Sequence, residues 1–321
     1  MKYAFHQGGV AFGQSRHEDK IDGAAKGKIY SVGSLETHKK VLGPLLDYAK
    51  EHYDLKRLVD LKPKMVRSYL ERMQQDGASV KTLQTIRTAV LMLEHCVVKA
   101  FGCANRVFFP RDFKINSFKP EDTTKIKRHS PVSADIMRAW LYQYKGIRAG
   151  LAIEVIRSCG LRSGEAATFK VGHIHLAGLS KKDLERLRPE CKNEADYTFY
   201  KKIGEGPCLM LEGKESGTKG GRWRVVPVPL HLVGKLGPYI KNKSPDEKVF
   251  PVHQRTIERW EEAARTATGS DGKGCHGLRR TMCIEYLDTE VKNGQRIDEV
   301  IINCSRILGH SRQETLAWYI H

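Results

Sequence analysis

The sequence predicts a mainly α-helical chain with a small antiparallel β-sheet, divided into two domains. Three observations predict it. A chain of 321 residues is long enough for two ordinary hydrophobic cores. Through residues 31–115 the apolar side chains recur at helical spacing. In the second half, strand-like alternation is confined to short stretches around one Gly-Gly turn, with helical patterns on either side; that mixture excludes a doubly wound parallel sheet.

Residues 1–30 are rich in Gly, Gln and Lys without a sustained period, and predict a flexible N-terminal arm. A first helix fits 31–54, with Ser34 as its cap and a stripe of Val41, Leu42, Leu45, Leu46 and Ala49. A second fits Lys62 to Gln75, with Pro63 in its first turn and Gly77 past its end. Ser79 caps a third, carried by Leu83, Ile86, Val90, Leu93 and Val97 and stopped at Gly102. Residues 31–115 thus predict a small helical domain, with Lys81 and Arg87 between its stripes as candidate phosphate contacts. Residues 116–130 form a basic linker, in which Lys125, Lys127 and Arg128 are further candidates.

The second domain spans 131–321. Helices fit Ser133 to Tyr144 and Leu151 to Ser158, and alternation from Phe169 to Leu176 predicts a strand. Ser180 with Asp183 opens a short charged helix through Arg188. Asp196 to Lys202 and Cys208 to Leu211 are further candidate strands, and Arg222 to Val228 after Gly220-Gly221 completes a hairpin around Lys219. The remaining patterns are helical: Gln254 to Thr268, Leu278 to Glu290, Asp298 to Ser305 and Glu314 to Tyr319.

Composition narrows the function. Lys plus Arg number 55 against 37 Asp plus Glu, a formal charge of +18, so a polyanionic partner is expected, nucleic acid first. Eight cysteines occur without a C-x-x-C pair, against a zinc ribbon or thioredoxin-like site and in favour of reduced thiols in a cytoplasmic protein. No run of 18 apolar residues predicts a membrane span, and the start Met1-Lys2 lacks the apolar core of a secretory signal.

Four groups of residues in the second domain suggest chemistry. Arg162 and Glu165 share a face if their turn is helical, so the carboxylate holds the guanidinium; read alone, this is a surface ion pair worth at most about 1 kcal/mol. Lys219 rides a Gly-rich turn that can carry a long donor into a groove, although most turn lysines are merely solvated. His276 and Arg279 share a helix face after the loop Gly269 to Gly274, in which Gly272 and Gly274 let the backbone approach closely, and Arg280 follows as a phosphate contact. Leu308-Gly309-His310-Ser311 places a histidine nine positions before Tyr319. His173 and His175 are read as sheet histidines, and no carboxylate cluster suggests a two-metal site.

Taken in order, these motifs resemble the tyrosine recombinases, the phage integrase and Xer-like superfamily. The resemblance rests on Gly160-Leu161-Arg162 with Glu165, Lys219 in its hairpin, His276-Gly277-Leu278-Arg279, Leu308-Gly309-His310-Ser311 and Tyr319, and covers residues 31–321. It implies a helical, SAM-like core-binding domain followed by a catalytic domain. It implies that Tyr319 attacks a DNA phosphodiester and forms a 3′-phosphotyrosyl link. Arg162, Arg279 and His310 would then stabilise phosphoryl oxygens, His276 act as base and Lys219 protonate the leaving 5′-oxygen. Neither metal nor other cofactor is expected. Double-stranded DNA is the expected partner, with four protomers in a synapse, accessory DNA-bending proteins and nucleoid association during recombination.

The sequence departs from compact members at an excess over 178–208, either a specificity or protein-contact insertion or a solvated excursion, the latter slightly favoured. Only Ile320-His321 follow Tyr319, where many relatives carry a further helix that docks on a neighbouring protomer; the expectation is that either the assembly uses another contact or the chain is truncated. The alternatives are a type IB topoisomerase-like strand transferase and a catalytically idle DNA-binding protein of the same fold; the full motif set argues against the second.

Overall fold

The computed structural model describes residues 1–12, 14, 19, 23–102, 106–115, 129–213, 215–218, 221–270, 272 and 274–310. It divides into two compact units, Met1–Thr123 and Thr124–His321. No helix among the described residues is long and apolar enough to cross a membrane. The described cysteines are all free thiols, buried except for Cys191.

The first unit is mainly helical among the described residues: α1 (Lys2–Gly8), α2 (Val32–Tyr53), α3 (Pro63–Gln75) and α4 (Val80–Phe101), with a 3-10 turn at Leu58–Asp60. The caps explain the boundaries. Ser79 accepts from the Thr82 N–H at 3.1 Å, and Gly102 ends α4 in the left-handed region at φ +63°. The cap of α2 is Ser31, not Ser34. Ser31 is extended, so its Oγ accepts from the Ser34 N–H at 3.1 Å, and Ser34 lies inside the helix. Leu42, Leu45, Val66, Leu70, Val90, Leu93 and Val97 are buried together between the helices.

Residues 1–12 and 23–30 of the N-terminal segment contribute to this core through Ala4, Phe5 and Ile29, unlike the flexible arm that the composition predicts. Phe5 is 0% and Ile29 1% exposed, and Val10 bridges Ile29 in parallel. A side chain at Gly8 would collide with the Cys96 backbone, its Cβ 2.1 Å from the carbonyl oxygen. The glycines that look like disorder let α1 lie directly on α4, and burying one phenylalanine is worth roughly 1.5–3 kcal/mol.

The second unit is built around α6 (Ile147–Cys159), buried on nearly every side. Around it lie α5 (Pro131–Tyr144), α7 (Ser163–Ala166), α10 (Leu230–Ile240), α11 (Gln254–Thr268), α12 (Gly274–Lys292) and α13 (Ile297–Leu308). Strands β1 (Ile174–His175), β2 (Cys208–Leu211) and β3 (Arg224–Pro227) form one antiparallel sheet in the order β1-β2-β3. The expected strand from Phe169 is shorter, because Val171–His173 turns as a 3-10 helix. Cys208 pairs with Pro227 and Leu211 with Arg224, so β2 and β3 are the hairpin expected around Lys219.

Both faces of the sheet are covered. Leu209, Leu211 and Val226 face the main core; Cys208, Met210 and Val225 face a second cluster with Leu187 and Tyr200. That second cover is the excess segment, folded into α8 (Lys181–Leu187) and α9 (Glu194–Ile203). It is therefore not a solvated excursion. Asp196 to Lys202, expected as a strand, is helical: Asn193 accepts from the Asp196 N–H at 2.9 Å, acids occupy the first turn of α9, and Lys201 and Lys202 occupy its last. Trp223 packs into this cluster, with the Arg186 guanidinium 5.6 Å from its ring centre.

Candidate active site

The site forms where two helix ends meet. Helix α6 stops at Gly160 with φ +61°, and α13 stops at Gly309 with φ +63°. A Cβ at Gly160 would lie 2.9 Å from Leu308 Cδ2, and one at Gly309 would lie 3.0 Å from Arg224 Cδ and Nη1, so both turns need glycine for conformation and for space. Carbonyls at a helix C-terminus lack intrahelical donors and carry partial negative charge. Arg279 of α12 answers both ends. Its guanidinium donates to the Gly160 and Leu308 carbonyls, and Nη2 lies 3.3 Å from His310 Nε2. It is 0% exposed.

Arg162 caps α7 from an extended backbone conformation. Its N–H donates to Glu165 Oε2 and its Nη1 to Oε1, each at 2.7 Å. The predicted face-sharing pair is therefore present, but Glu165 is 0% exposed and is no surface carboxylate. Arg224 of β3, itself buried, forks onto the same carboxylate at 2.9 and 2.7 Å, and Arg279 Nη1 stands 3.9 Å away. Burial alone would raise the Glu165 carboxyl; Arg224, then Arg279 and Arg162, outweigh it and hold the group at about 2. Arg162 retains a quarter of its side-chain surface, 26%, in solvent.

Three guanidinium groups around one carboxylate leave a surplus of positive charge. Two histidines sit in its field. His276 is exposed, yet crowding by the protein and then Arg279, Arg280 and Arg162 push its imidazole down to about 4. His310 is half-buried, and burial followed by Arg279, Arg162 and Arg224 pushes it down to about 3. Both are neutral near pH 7. A neutral ring can accept a proton, and His310 Nε2 accepting from Arg279 requires the proton on Nδ1.

The loop entering α12 is fixed by His129, which is 0% exposed. His129 Nδ1 lies 2.9 Å from Ser270 Oγ and Nε2 3.3 Å from the Gly274 carbonyl. A Cβ at Gly272 would lie 2.0 Å from the His129 ring, so this glycine makes room for a side chain of the same unit. The loop after β2 seats on α7: a Cβ at Gly217 would fall 2.6 Å from Thr168 Oγ1 and 3.3 Å from the Gly164 carbonyl. Gly217 precedes Lys219 by two positions.

Neither a protein-family model nor a curated protein sequence matches the chain. Solved structures do. It is similar to XerH site-specific recombinase bound to difH, at 16% identity and TM-score 0.60, over 96% of this chain and 81% of that one. It is similar to lambda integrase (75–356) bound to a COC′ core site, at 15% identity and TM-score 0.60, over 95% of this chain and 93% of that one. The Tn1549 transposon integrase with transposon right end DNA aligns at 15% identity and TM-score 0.58, again over 95% and 93%. The fold is the one these recombinase and integrase structures share.

Within that fold the structure brings Arg162, Glu165, Arg279 and His310 into contact, with His276 in the same electrostatic field. Arg280 is 6% exposed. Lys81 and Arg87 are exposed on α4, the latter with its guanidinium 5.4 Å from the Phe109 ring centre. Lys219, Tyr319, Lys125, Lys127 and Arg128 lie outside the described residues. Sequence reading missed Arg224 as part of the cluster; its one signal is a lone charge before Val225 and Val226 on an otherwise apolar strand.

One His–carboxylate group among the described residues has metal-ligand proximity: His173, Glu212 and Glu215. The bonding opposes that use. The Lys170 N–H donates to His173 Nδ1 at 3.1 Å, so the neutral ring carries its proton on Nε2, and Arg186 already holds Glu212 at 2.6 Å.

Proposed function

We propose that the chain is a site-specific DNA recombinase that cuts and rejoins strands through a covalent 3′-phosphotyrosyl intermediate on Tyr319. The observation that carries this reading is the surplus of positive charge around Glu165, with neutral His276 and His310 beside it, at the helix ends of a tyrosine-recombinase fold. Such a cluster binds an anion, and it stabilises most strongly the species in which negative charge has grown.

In this mechanism the Tyr319 oxygen forms a bond to phosphorus while the bond from phosphorus to the 5′-oxygen breaks. The phenol proton passes to the His276 imidazole, and the departing 5′-oxygen takes a proton from the Lys219 ammonium. A free tyrosine with pKa about 10 is only about 0.1% ionised at neutral pH, so a neutral base beside it matters. Arg162 forks onto the non-bridging oxygens. Arg279, fully buried in this state, adds charge and joins the Gly160 and His310 turns. A 5′-hydroxyl later attacks the phosphotyrosine and reverses the step onto the same or another strand. The number of phosphate ester bonds is conserved, so the cycle needs no nucleotide hydrolysis.

Double-stranded DNA is the substrate and four protomers form the synapse. The structurally similar lambda integrase is known as a tetramer bound to a Holliday junction. Lys81, Arg87, Lys125, Lys127 and Arg128 contribute non-catalytic phosphate contacts, and the protein works in the cytoplasm on the nucleoid.

The test is strand exchange between two duplexes carrying the DNA that flanks the source gene. Recombinant products formed without ATP, and abolished by Tyr319→Phe, support the reading. Relaxation of supercoiled plasmid without exchange would replace it with a topoisomerase-like transferase.

A further inference from the structure

The mechanism above gives Arg224 no part, yet it is the one charged residue of β3 and it is 1% exposed. We infer that Arg224 is a positioning residue: it fixes Arg162 through Glu165 and locks the hairpin that bears Lys219 to α7 and the Gly309 turn. This inference rests on the recombinase reading for its chemistry, but not for its geometry.

Three observations carry it. First, the Glu165 carboxylate is shared oxygen by oxygen. Oε1 accepts from Arg162 Nη1 and Arg224 Nη1, and Oε2 from the Arg162 N–H and Arg224 Nη2, all between 2.7 and 2.9 Å. The plane of the Arg224 fork therefore sets the plane of the carboxylate, which sets the direction of Arg162. Second, Arg224 is in register opposite Leu211, the last β2–β3 pair before the loop that carries Lys219. A one-residue slip of β3 would turn Arg224 to the opposite face of the sheet and away from Glu165, so the ion pair selects one register. Third, Arg224 is packed against the Gly309 turn closely enough to exclude a Cβ there, the limiting distance being 3.0 Å. One side chain thus touches the elements bearing Arg162 and His310 and belongs to the strand that follows Lys219.

A purely structural role is the competing explanation. Buried ion pairs are often replaceable by apolar residues of similar volume without loss of stability, so stability alone would not require this fork. The test uses that fact. Arg224→Met/Glu165→Gln removes both charges, whereas Arg224→Lys keeps a charge and removes the fork. Four quantities are read on the full chain: thermal unfolding, the order of the Arg162 Nε–H in the free protein by NMR (assigned with Arg162→Lys), DNA affinity, and the single-turnover rate of covalent adduct formation on a nicked duplex.

The expected result is a double variant that unfolds cooperatively and binds DNA within about threefold of the parent, yet loses the ordered Arg162 signal and forms adduct ~10²-fold more slowly, the scale of loss from misplacing a charge-stabilising group. Arg224→Lys is expected to follow it in both. Because Glu165→Gln by itself removes both Arg162 bonds, Arg224→Lys decides the role of Arg224 whether or not the double variant folds. A stable variant that keeps Arg162 ordered and reacts at the parental rate would overturn the inference. If the parent itself forms no adduct, the recombinase reading fails, and the Arg162 order parameter still decides whether Arg224 positions it.

Discussion

Glu165 concentrates the site's energetics in one carboxylate. It is buried, it accepts from Arg162 and Arg224, and its pKa is held at about 2, below the ordinary value of 4.5. A depressed folded pKa means that the unfolded chain binds the proton first as pH falls. The contribution is full above about 4.5 and is lost as pH drops towards 2. Glu165→Gln leaves the Arg224 guanidinium buried without its counter-charge, at a cost on the order of 3–5 kcal/mol near pH 7. Urea unfolding of parent and variant at pH 7 and 3.5 is expected to show that gap narrowing at the lower pH; a constant gap would contradict the assignment. His276 and His310 have the same sign. Their folded pKa values of about 4 and 3 lie below 6.5, so stability also falls as pH drops below 6.5. In the free protein neither ring is expected to titrate by NMR between pH 8 and 5.5, and a midpoint near 6.5 would show that the cationic field is absent. Of this cluster, Arg162, Glu165, His276, Arg279 and His310 were legible because their motifs are short. Arg224 was not, because its partner lies 59 positions away in sequence and only the folded hairpin joins them.

At the scale of elements, helices with both a polar cap and a long apolar stripe were readable, as with Ser79 to Gly102 and Gln254 to Thr268. Two kinds of element were not. α1 and α7 are too short to show a period. α9 carries Tyr197 and Phe199 at alternate positions, which imitates a strand until the cap at Asn193 is counted. Recognising α9 as a helix gives the inserted segment a role. Tyr200 Oη donates to the Arg306 carbonyl at 3.1 Å, and Asp196 holds the Arg306 guanidinium at 2.7 Å, so α9 braces the last turn of α13, which delivers Gly309 and His310. Tyr200→Phe removes that bond alone. It is expected to cost ~1 kcal/mol of stability and to slow adduct formation several-fold at unchanged DNA affinity. Unaltered kinetics would reduce the insertion to a cover for the sheet.

At the scale of the molecule, the charge of +18 sets the terms of association without fixing a target sequence. DNA affinity measured by fluorescence anisotropy is expected to fall linearly on a log–log plot against salt, by roughly 10³–10⁵ between 50 and 200 mM if about 6–10 phosphates are neutralised. A flat dependence would point to a partner other than a polyanion. Charge and fold together still permit an idle binder, and only chemistry at Tyr319 separates that protein from a recombinase. The most direct measurement is covalent trapping on a nicked suicide duplex, in chelator, followed by mapping of the modified peptide. The account predicts a denaturant-stable adduct on Tyr319 that is absent from Tyr319→Phe. Tight, specific binding without an adduct, or an adduct on any other residue, would contradict it.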